Sequence, residues 1–293
     1  MNKIKSHSFI YSKFRGHKMV KVSIELIGND ENTIYPVLES IKNQTFKDYE
    51  VIYVFSNRNK ENLKKLEKYD IKLVDTIEKT SLLRARYIAN SFATGSFRLI
   101  LDSTRPLEPN ALELLMTKYR KYDAVCIKEG SLGSGFWVKQ ADKLRIMSDR
   151  TFLKTVDKKP AFLLPRWYSQ EVLDGAFEYL LNNIEQELFN KIGYGEHHLV
   201  YIAANIKANK IAITEETLLK HYEDSSAFSI IRKYSRYGSS QKTLNSLEIN
   251  TAAQKFFSHK RPFILNNLLL EVETIPIRFL RVISFIYGYV FTN

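Results

Sequence analysis

Asp102 closes the apolar run Phe97–Leu101 (FRLIL) and is followed at once by the polar turn Ser103-Thr104-Arg105-Pro106. In a sheet of parallel strands, ligands sit outside the carboxyl ends, so a carboxylate at that place meets a charged ligand or its metal. Cations and proton carriers surround it in the sequence. Arg84 and Arg86 lie just before the run and Arg105 just after it; Glu196-His197 opens the helical pattern EHHLVYIAANIKAN, and His221, Arg232 and Arg236 follow. Guanidinium groups grip phosphate oxygens in pairs without a metal, whereas a carboxylate or an imidazole exchanges protons near neutral pH. Each residue also has a plainer use: a solvated helix face for Arg84, Arg86, Arg232 and Arg236, a favourable charge at a helix N-terminus for Glu196, and a buried structural imidazole for His221. The adjacent His197 and His198 point in different directions on a helix, so they do not make a zinc site.

The elements that must carry these groups alternate regularly from Val20 to about Ile127. Strand patterns cover Lys21–Ile27, Glu50–Phe55, Ile71–Val74, Phe97–Leu101 and Ala124–Ile127. Helical patterns cover Thr33–Asn43, Lys60–Tyr69, Leu82–Phe92 and Pro109–Arg120. Such alternation with short connections predicts an α/β fold with a doubly wound, mostly parallel sheet flanked by helices.

With 293 residues, 44% of them hydrophobic, the chain can bury a sizeable core as one large domain or two closely joined ones. Its 44 Lys and Arg against 32 Asp and Glu give a net charge of +12, which favours phosphate-bearing partners or an anionic surface. Nucleic acid is not expected, because no nucleic-acid-binding motif accompanies the charge. Lys3, Lys5, Lys13, Arg15 and Lys18 occur before Met19 without an acid, so residues 1–18 read as a basic tail with no secretory signal. The single cysteine, Cys126, lies in the strand-like DAVCI and reads as a core thiol. At the other end, Ile275–Phe291 is apolar and aromatic but interrupted by Arg278 and Arg281. That pattern predicts an interfacial helix lying on a membrane with both arginines reaching phosphate headgroups, or else a helix docked on the core or a second subunit.

The segment VSIELIGNDENTIYPVLESIKNQTFKDYEVIYVFSN, with Ser40-Ile41 and Gln44-Thr45 at its helix end, resembles the opening of a family 2 glycosyltransferase of the GT-A fold. The segment LLRARYIANSFATGSFRLILDSTRPLEPNALELL is similar to the same family's next conserved stretch, with Arg86, Ala93, Gly95, Leu101 and Asp102 in matching places. The likeness runs from about Val20 to Gly238. It implies a nucleotide-sugar-binding half at 19–130 and an acceptor-binding half at 131–240, and the apolar C-terminal pattern makes 241–293 a helical, membrane-interfacial segment.

It also implies an inverting transfer of a sugar from a nucleotide-diphospho-sugar to a lipid-linked or surface-glycan acceptor, at the cytoplasmic face of the cell membrane. Glu196, and next to it His197, match the family's base position. Asp30, Arg84, Arg86, Asp102, Thr104 and Arg232 become donor-site candidates, Trp167 and Tyr168 candidates for stacking on an acceptor sugar, and Asp102 with His221 candidates for a divalent Mg or Mn ion. The family's D-x-D motif here reads Asp102-Ser103-Thr104, so a hydroxyl stands where the second acid is expected, and a hydroxyl is a far poorer ligand for a hard cation. That departure puts the metal in question. It also raises an alternative, a catalytically degenerate GT-A protein serving as a binding or assembly partner.

Overall fold

A computed structural model describes residues 9–12, 20–28, 31–55, 64–76, 80–152, 164–247 and 268–292. Strands β1 (Phe9–Ser12), β2 (Val22–Ile27), β3 (Tyr49–Phe55), β4 (Lys72–Thr76), β5 (Phe97–Asp102), β6 (Ala124–Leu132), β7 (Trp167–Ser169) and β8 (Ile211–Tyr222) form one sheet in the order β1-β4-β3-β2-β5-β7-β6-β8. Only β1 and β7 run against the rest. All six residues of β2 are buried, as in a strand covered on both faces. The expected mostly parallel α/β sheet is therefore present, and both halves of the chain share it. Phe9–Ser12, within the stretch expected to be a tail, pairs as an edge strand with β4. The basic residues Lys3, Lys5, Lys13, Arg15 and Lys18 lie outside the described residues, as does the start of the helix expected over Lys60–Tyr69.

Helix α1 (Glu31–Lys42) links β2 to β3, and α2 (Leu82–Phe92) follows β4 and leads into β5. Because β3 and β4 lie on one side of β2 and β5 on the other, the chain reverses its winding direction between β2 and β5. In such a sheet the crevice at that reversal is where ligands bind. Asp102 is the residue there, paired in register with Ile27 at the end of β2.

The expected helix over Pro109–Arg120 is a single α-helical turn, α3 (Ala111–Leu114), running into a π-helical turn over Leu115–Tyr119. Beyond β6 come α4 (Phe136–Phe152), then, after β7, α5 (Gln170–Asn183), α6 (Gln186–Phe189), α7 (Glu196–Lys207), α8 (Ala227–Asn245), α9 (Leu268–Glu273) and α10 (Ile275–Phe291). One core lies between the sheet and α1 and α3, and includes Leu26, Leu38, Leu101 and Leu115. A second joins α5 to α7 through Leu173, Phe177, Leu199 and Ala203. Cys126 is buried in β6, as expected, and burial pushes its thiol well above the ordinary value.

Helix α10 packs on α8 through Ile277 and Leu280 against Ile230 and Tyr234, and at Gly238 and Gly288 the two backbones meet directly. A Cβ added at Gly238 would overlap the backbone carbonyl of Phe285, and one added at Gly288 would overlap that of Ser235. Only glycine permits so close an approach. The inner face of α10 presents Ile277, Ser284 and Gly288, all buried, while Phe279, Val282, Ile286 and Val290 form an exposed apolar stripe on the outer face. Its arginines are engaged by the protein: Arg278 pairs with Glu271, and the Arg281 guanidinium lies 5.0 Å from the Tyr234 ring centroid. Each arginine thus has an intramolecular partner, and the Arg278 side chain remains exposed. Among the described residues no helix is long and apolar enough to cross a membrane.

Beneath α2, Glu25 on β2 is completely buried, and neither of its carboxylate oxygens accepts a hydrogen bond from a described residue. Arg98 Nε is 3.7 Å away, but the same guanidinium is held by Ser23 Oγ and the carbonyls of Gly95 and Ala93. Burial pushes the Glu25 carboxyl up to about 8 against the pull of Arg98 and Arg86. The native state thus keeps a proton that the unfolded chain has already released, so this residue lowers stability progressively as the pH rises from about 4.5 towards about 8. Glu25→Gln should raise the unfolding midpoint increasingly between about pH 6 and about pH 9, by up to a few kcal/mol at the alkaline end. Urea titrations of both proteins across that range check this; parallel pH dependences would show that Glu25 is ionised throughout.

Candidate active site

Four segments bring charge to the carboxyl ends of the central strands. Strand β5 delivers Asp102, and the turn after it delivers Arg105; this turn is tied down by Ser103 N donating to Ile27 O at 2.9 Å and Tyr222 N donating to Thr104 O at 3.0 Å. Helix α2, capped by Ser81 accepting from Arg84 N at 3.2 Å, turns Arg86 inward. The short strand β7 wedges between β5 and β6, so that Arg166, just ahead of it, donates its N–H to Val125 O at 3.1 Å while its own carbonyl accepts from Ile100 N at 2.8 Å. That backbone pairing aims the Arg166 side chain along β5 towards Asp102.

The result is an alternating chain of charges. Arg86 pairs with one oxygen of Asp102 and Arg105 with the other, and Arg166 Nη1 lies 3.4 Å from the latter. Arg105 Nε and Arg166 Nε both donate to one oxygen of Glu129 on β6, at 3.0 and 2.7 Å, and Arg145 of α4 donates to its other oxygen at 2.9 Å. Arg145 Nε then donates at 2.6 Å to Glu223, which lies 3.0 Å from His221 Nδ1 at the end of β8. Burial alone would raise both the Asp102 and Glu129 carboxyls. Arg105, Arg86 and Arg166 outweigh it at Asp102, and Arg105, Arg166 and Arg145 at Glu129, so both stay well below the usual carboxylate range.

Helix α7 supplies the remaining groups. Its N-cap Gly195 has φ +84°, and a Cβ there would run into Leu244 of α8, so both conformation and space call for glycine. The turn places Glu196 Oε1 and His197 Nε2 at 3.7 and 2.6 Å from Arg86 Nη2. Burial raises the Glu196 carboxyl, with Arg86 opposing and Asp102 adding to the rise. Burial, Arg86 and Arg166 together push His197 down to about 3, so it is a neutral imidazole. Since a guanidinium can only donate, His197 Nε2 accepts and Nδ1 carries the proton.

Several expectations need correction. Trp167 and Tyr168 are fully buried in β7, and Trp167 stacks on Phe97 with centroids 5.1 Å apart, so their faces pack the core and offer nothing to a sugar. His197 does not stand free as a base, because its accepting nitrogen is spent on Arg86. His221 does not join Asp102 in a metal-capable group; among the described residues that group is Asp102, Glu196 and His197, whose donor atoms lie within 4.8 Å of one another. Arg84, two positions from Arg86 and so about 200° round the helix, is only half-buried and forms no ion pair with a described residue. Thr104 flanks the turn, with its Oγ1 3.5 Å from Arg105 Nη1. Arg232 is exposed on α8, and Asp30 lies outside the described residues.

Sequence reasoning missed Arg166, Glu129, Arg145 and Glu223. The visible signal was a charge set against an apolar stretch, a lone arginine in FLLPRWY and the pair Lys128-Glu129 ending the apolar run in AVCIKEG. It also missed Tyr237 of α8, whose hydroxyl is raised first by burial and then by the nearby Glu196 charge.

Glu129 holds three arginines in place, so removing its charge should release them against one another. Glu129→Gln is expected to destabilise the fold by about 3–5 kcal/mol, the range for breaking a buried ion network by deleting one partner. Thermal and urea unfolding measure it; an unchanged midpoint would mean that solvent already screens the cluster.

Comparison with known proteins gives this geometry its setting. The family model described as "Glycosyl transferase family 2" matches residues 27–175, half of the chain, spanning β3 to α2, Asp102, Arg105, Glu129 and Arg166. No curated protein sequence matches. Among solved structures, TarS 1-349 from S. aureus covers 92% of this chain and 81% of its own, at 16% identity and a TM-score of 0.54. A complex of TarS 1-349 with UDP covers 92% and 89%, at 15% identity and a TM-score of 0.55. The mannosyltransferase PcManGT from Pyrobaculum calidifontis, in complex with GDP-Man and Mn2+, covers 94% and 89%, at 12% identity and a TM-score of 0.55. At these identities the likeness is one of fold, a GT-A-like α/β sheet. The family match, falling on the strands and loops that build the charged crevice, leads to the conclusion that this chain belongs to glycosyl transferase family 2 and is a glycosyltransferase.

Proposed function

We propose that the protein is an inverting glycosyltransferase that moves a sugar from a nucleoside-diphosphate sugar to a hydroxyl of a lipid-linked or surface-glycan acceptor. The observation that carries this reading is the juxtaposition of a cationic cage around Asp102 with the buried carboxylate of Glu196, at the ligand-binding crevice of the sheet. In the proposed reaction the acceptor oxygen attacks the anomeric carbon from the side opposite the diphosphate. The carbon–oxygen bond to the diphosphate breaks, its electron pair leaves with the nucleoside diphosphate, and the acceptor proton passes to Glu196. A carboxyl raised by burial is suited to that role, since it binds a proton more readily than an exposed one. UDP, UDP-GlcNAc and GDP-Man, bound by the structural neighbours, are the donors to try first.

On this reading Asp102 and Thr104 border the donor and the buried Arg86 acts through Asp102, while Arg84, Arg232 and Asp30 are secondary candidates for contacts along the nucleotide. His197 acts by holding Arg86 and not by moving a proton. Glu196→Gln should leave donor binding within about threefold while cutting transfer at least a hundredfold. Wild-type transfer should fall on acidification, because protonating Glu196 removes the base. Isothermal titration with the donor and a pH series of initial rates measure both; full turnover by the variant would place the base elsewhere.

The acceptor's class is read from the outer face of α10. Phe279, Val282, Ile286 and Val290 are each more than half exposed, with Leu269 and Val272 of α9 alongside, an arrangement suited to the headgroup boundary of a bilayer. A multiply charged donor does not cross a bilayer unaided, so the surface meant is the cytoplasmic one. Replacing Phe279, Val282 and Ile286 together by Ser should abolish co-flotation with vesicles containing anionic lipid while leaving the melting temperature nearly unchanged. Undiminished flotation would discard this surface as the contact.

A further inference from the structure

Divalent cations serve many nucleotide-sugar transferases by neutralising the leaving diphosphate, and the group Asp102, Glu196 and His197 is where this chain would hold one. That position is already taken by a cation belonging to the protein. Arg86 Nη2 is paired with Asp102 Oδ1, lies 2.6 Å from His197 Nε2 and 3.7 Å from Glu196 Oε1, and so touches the donor atoms of all three residues. Arg86 is 1% exposed, and its other terminal nitrogen donates to Leu101 O at 2.7 Å, which ties it to the sheet. The second oxygen of Asp102 is covered as well, by Arg105 and Arg166. Thr104 adds only a hydroxyl, a weak ligand for Mg2+ or Mn2+. These residues do not fit a divalent ion without expelling a buried guanidinium, which would strand the carboxylates it now compensates.

We infer that the protein binds the donor diphosphate without a metal, Arg105 and Arg166 supplying from guanidinium groups the positive charge that a divalent ion supplies elsewhere. This inference rests on the nucleotide-sugar reading above. Arg105 is the better placed of the two. It is fixed by Glu129 through Nε and by Asp102 through Nη1, its side chain is 15% exposed, and its Nη2 donates to no described residue. A guanidinium held at Nε and Nη1 with Nη2 left to donate loses little conformational freedom when a phosphate oxygen arrives. When the anomeric bond breaks, the electron pair goes to the diphosphate oxygen and the added charge falls beside these two groups.

The test is titration of the full-length protein with UDP, GDP, uridine and guanosine, once in EDTA and once in Mn2+. The expected result is a diphosphate affinity equal within about threefold in the two buffers. Arg105→Ala should weaken diphosphate binding about tenfold or more, with Arg105→Lys recovering part of it, while neither change alters nucleoside binding. An affinity at least tenfold higher in Mn2+ than in EDTA would overturn the inference, as would an Arg105→Ala protein that binds diphosphate like the wild type. Should Arg105→Ala not fold, the wild-type comparison of EDTA with Mn2+ decides alone. Failure of every nucleotide and nucleoside to bind in both buffers would instead remove the donor-site reading, and the metal-free inference with it.

Discussion

The pairing of Asp102 with three guanidinium groups is the constraint from which the rest of the site follows. A carboxylate buried at the end of a strand is tolerable only if its charge is met, and here it is met from α2, from the turn after β5 and from the residue ahead of β7. Each arginine is itself buried or nearly so and needs its own acceptor, which is why Glu129, Glu196 and Glu223 belong to the same structure. The alternation of signs lets a dense group of ionised side chains persist inside the fold. It also means that no member can be altered in isolation: the ionisation of Asp102, the neutrality of His197 and the raised carboxyl of Glu196 are one electrostatic solution read at three places.

The sheet serves this arrangement by its order of strands. With β2 at the point where winding reverses, the ends of β2 and β5 open a crevice, and the antiparallel β7 fills the gap towards β6. Without β7, Arg166 would have no reason to approach Asp102, and Glu129 would face one arginine fewer. A three-residue strand is thus the piece that converts an ordinary nucleotide crevice into a closed ring of charge. The cost of assembling that ring is borne by the surrounding apolar packing, chiefly the buried strands and the α5–α7 core.

Much of the frame was legible in the sequence, because central strands and amphipathic helices announce themselves by period. VSIELI, EVIYVF and FRLIL are uninterrupted or nearly so, and each is a buried parallel strand. Asp102 was legible for the same reason, as the residue where such a run stops. Trp167 and Tyr168 misled because WYS is too short to show a period, so their aromatic surface read as exposed when it is the filling of the sheet. The arginine ring was hidden for a different reason. Arg86, Arg105, Glu129 and Arg166 are scattered along the chain and come together only in the folded sheet, Arg166 through the insertion of β7, a tertiary fact with no local signature.

The glycine crossing of α8 and α10 bears on how such a protein would find its acceptor. At Gly238 and Gly288 the two backbones meet directly, and Ile230 and Tyr234 pack on Ile277 and Leu280 beside them, so the two helices form one tightly joined unit. Tyr237, next to the crossing residue Gly238, feels the charges of Glu196, Arg105 and Asp102, and the apolar stripe lies on the outer face of α10. Whatever seats the stripe therefore sets the height and tilt of the crevice mouth. Acceptors confined to the same plane would then be met by lateral diffusion, a search in two dimensions in which distance from the surface, more than affinity for any one molecule, selects what is glycosylated.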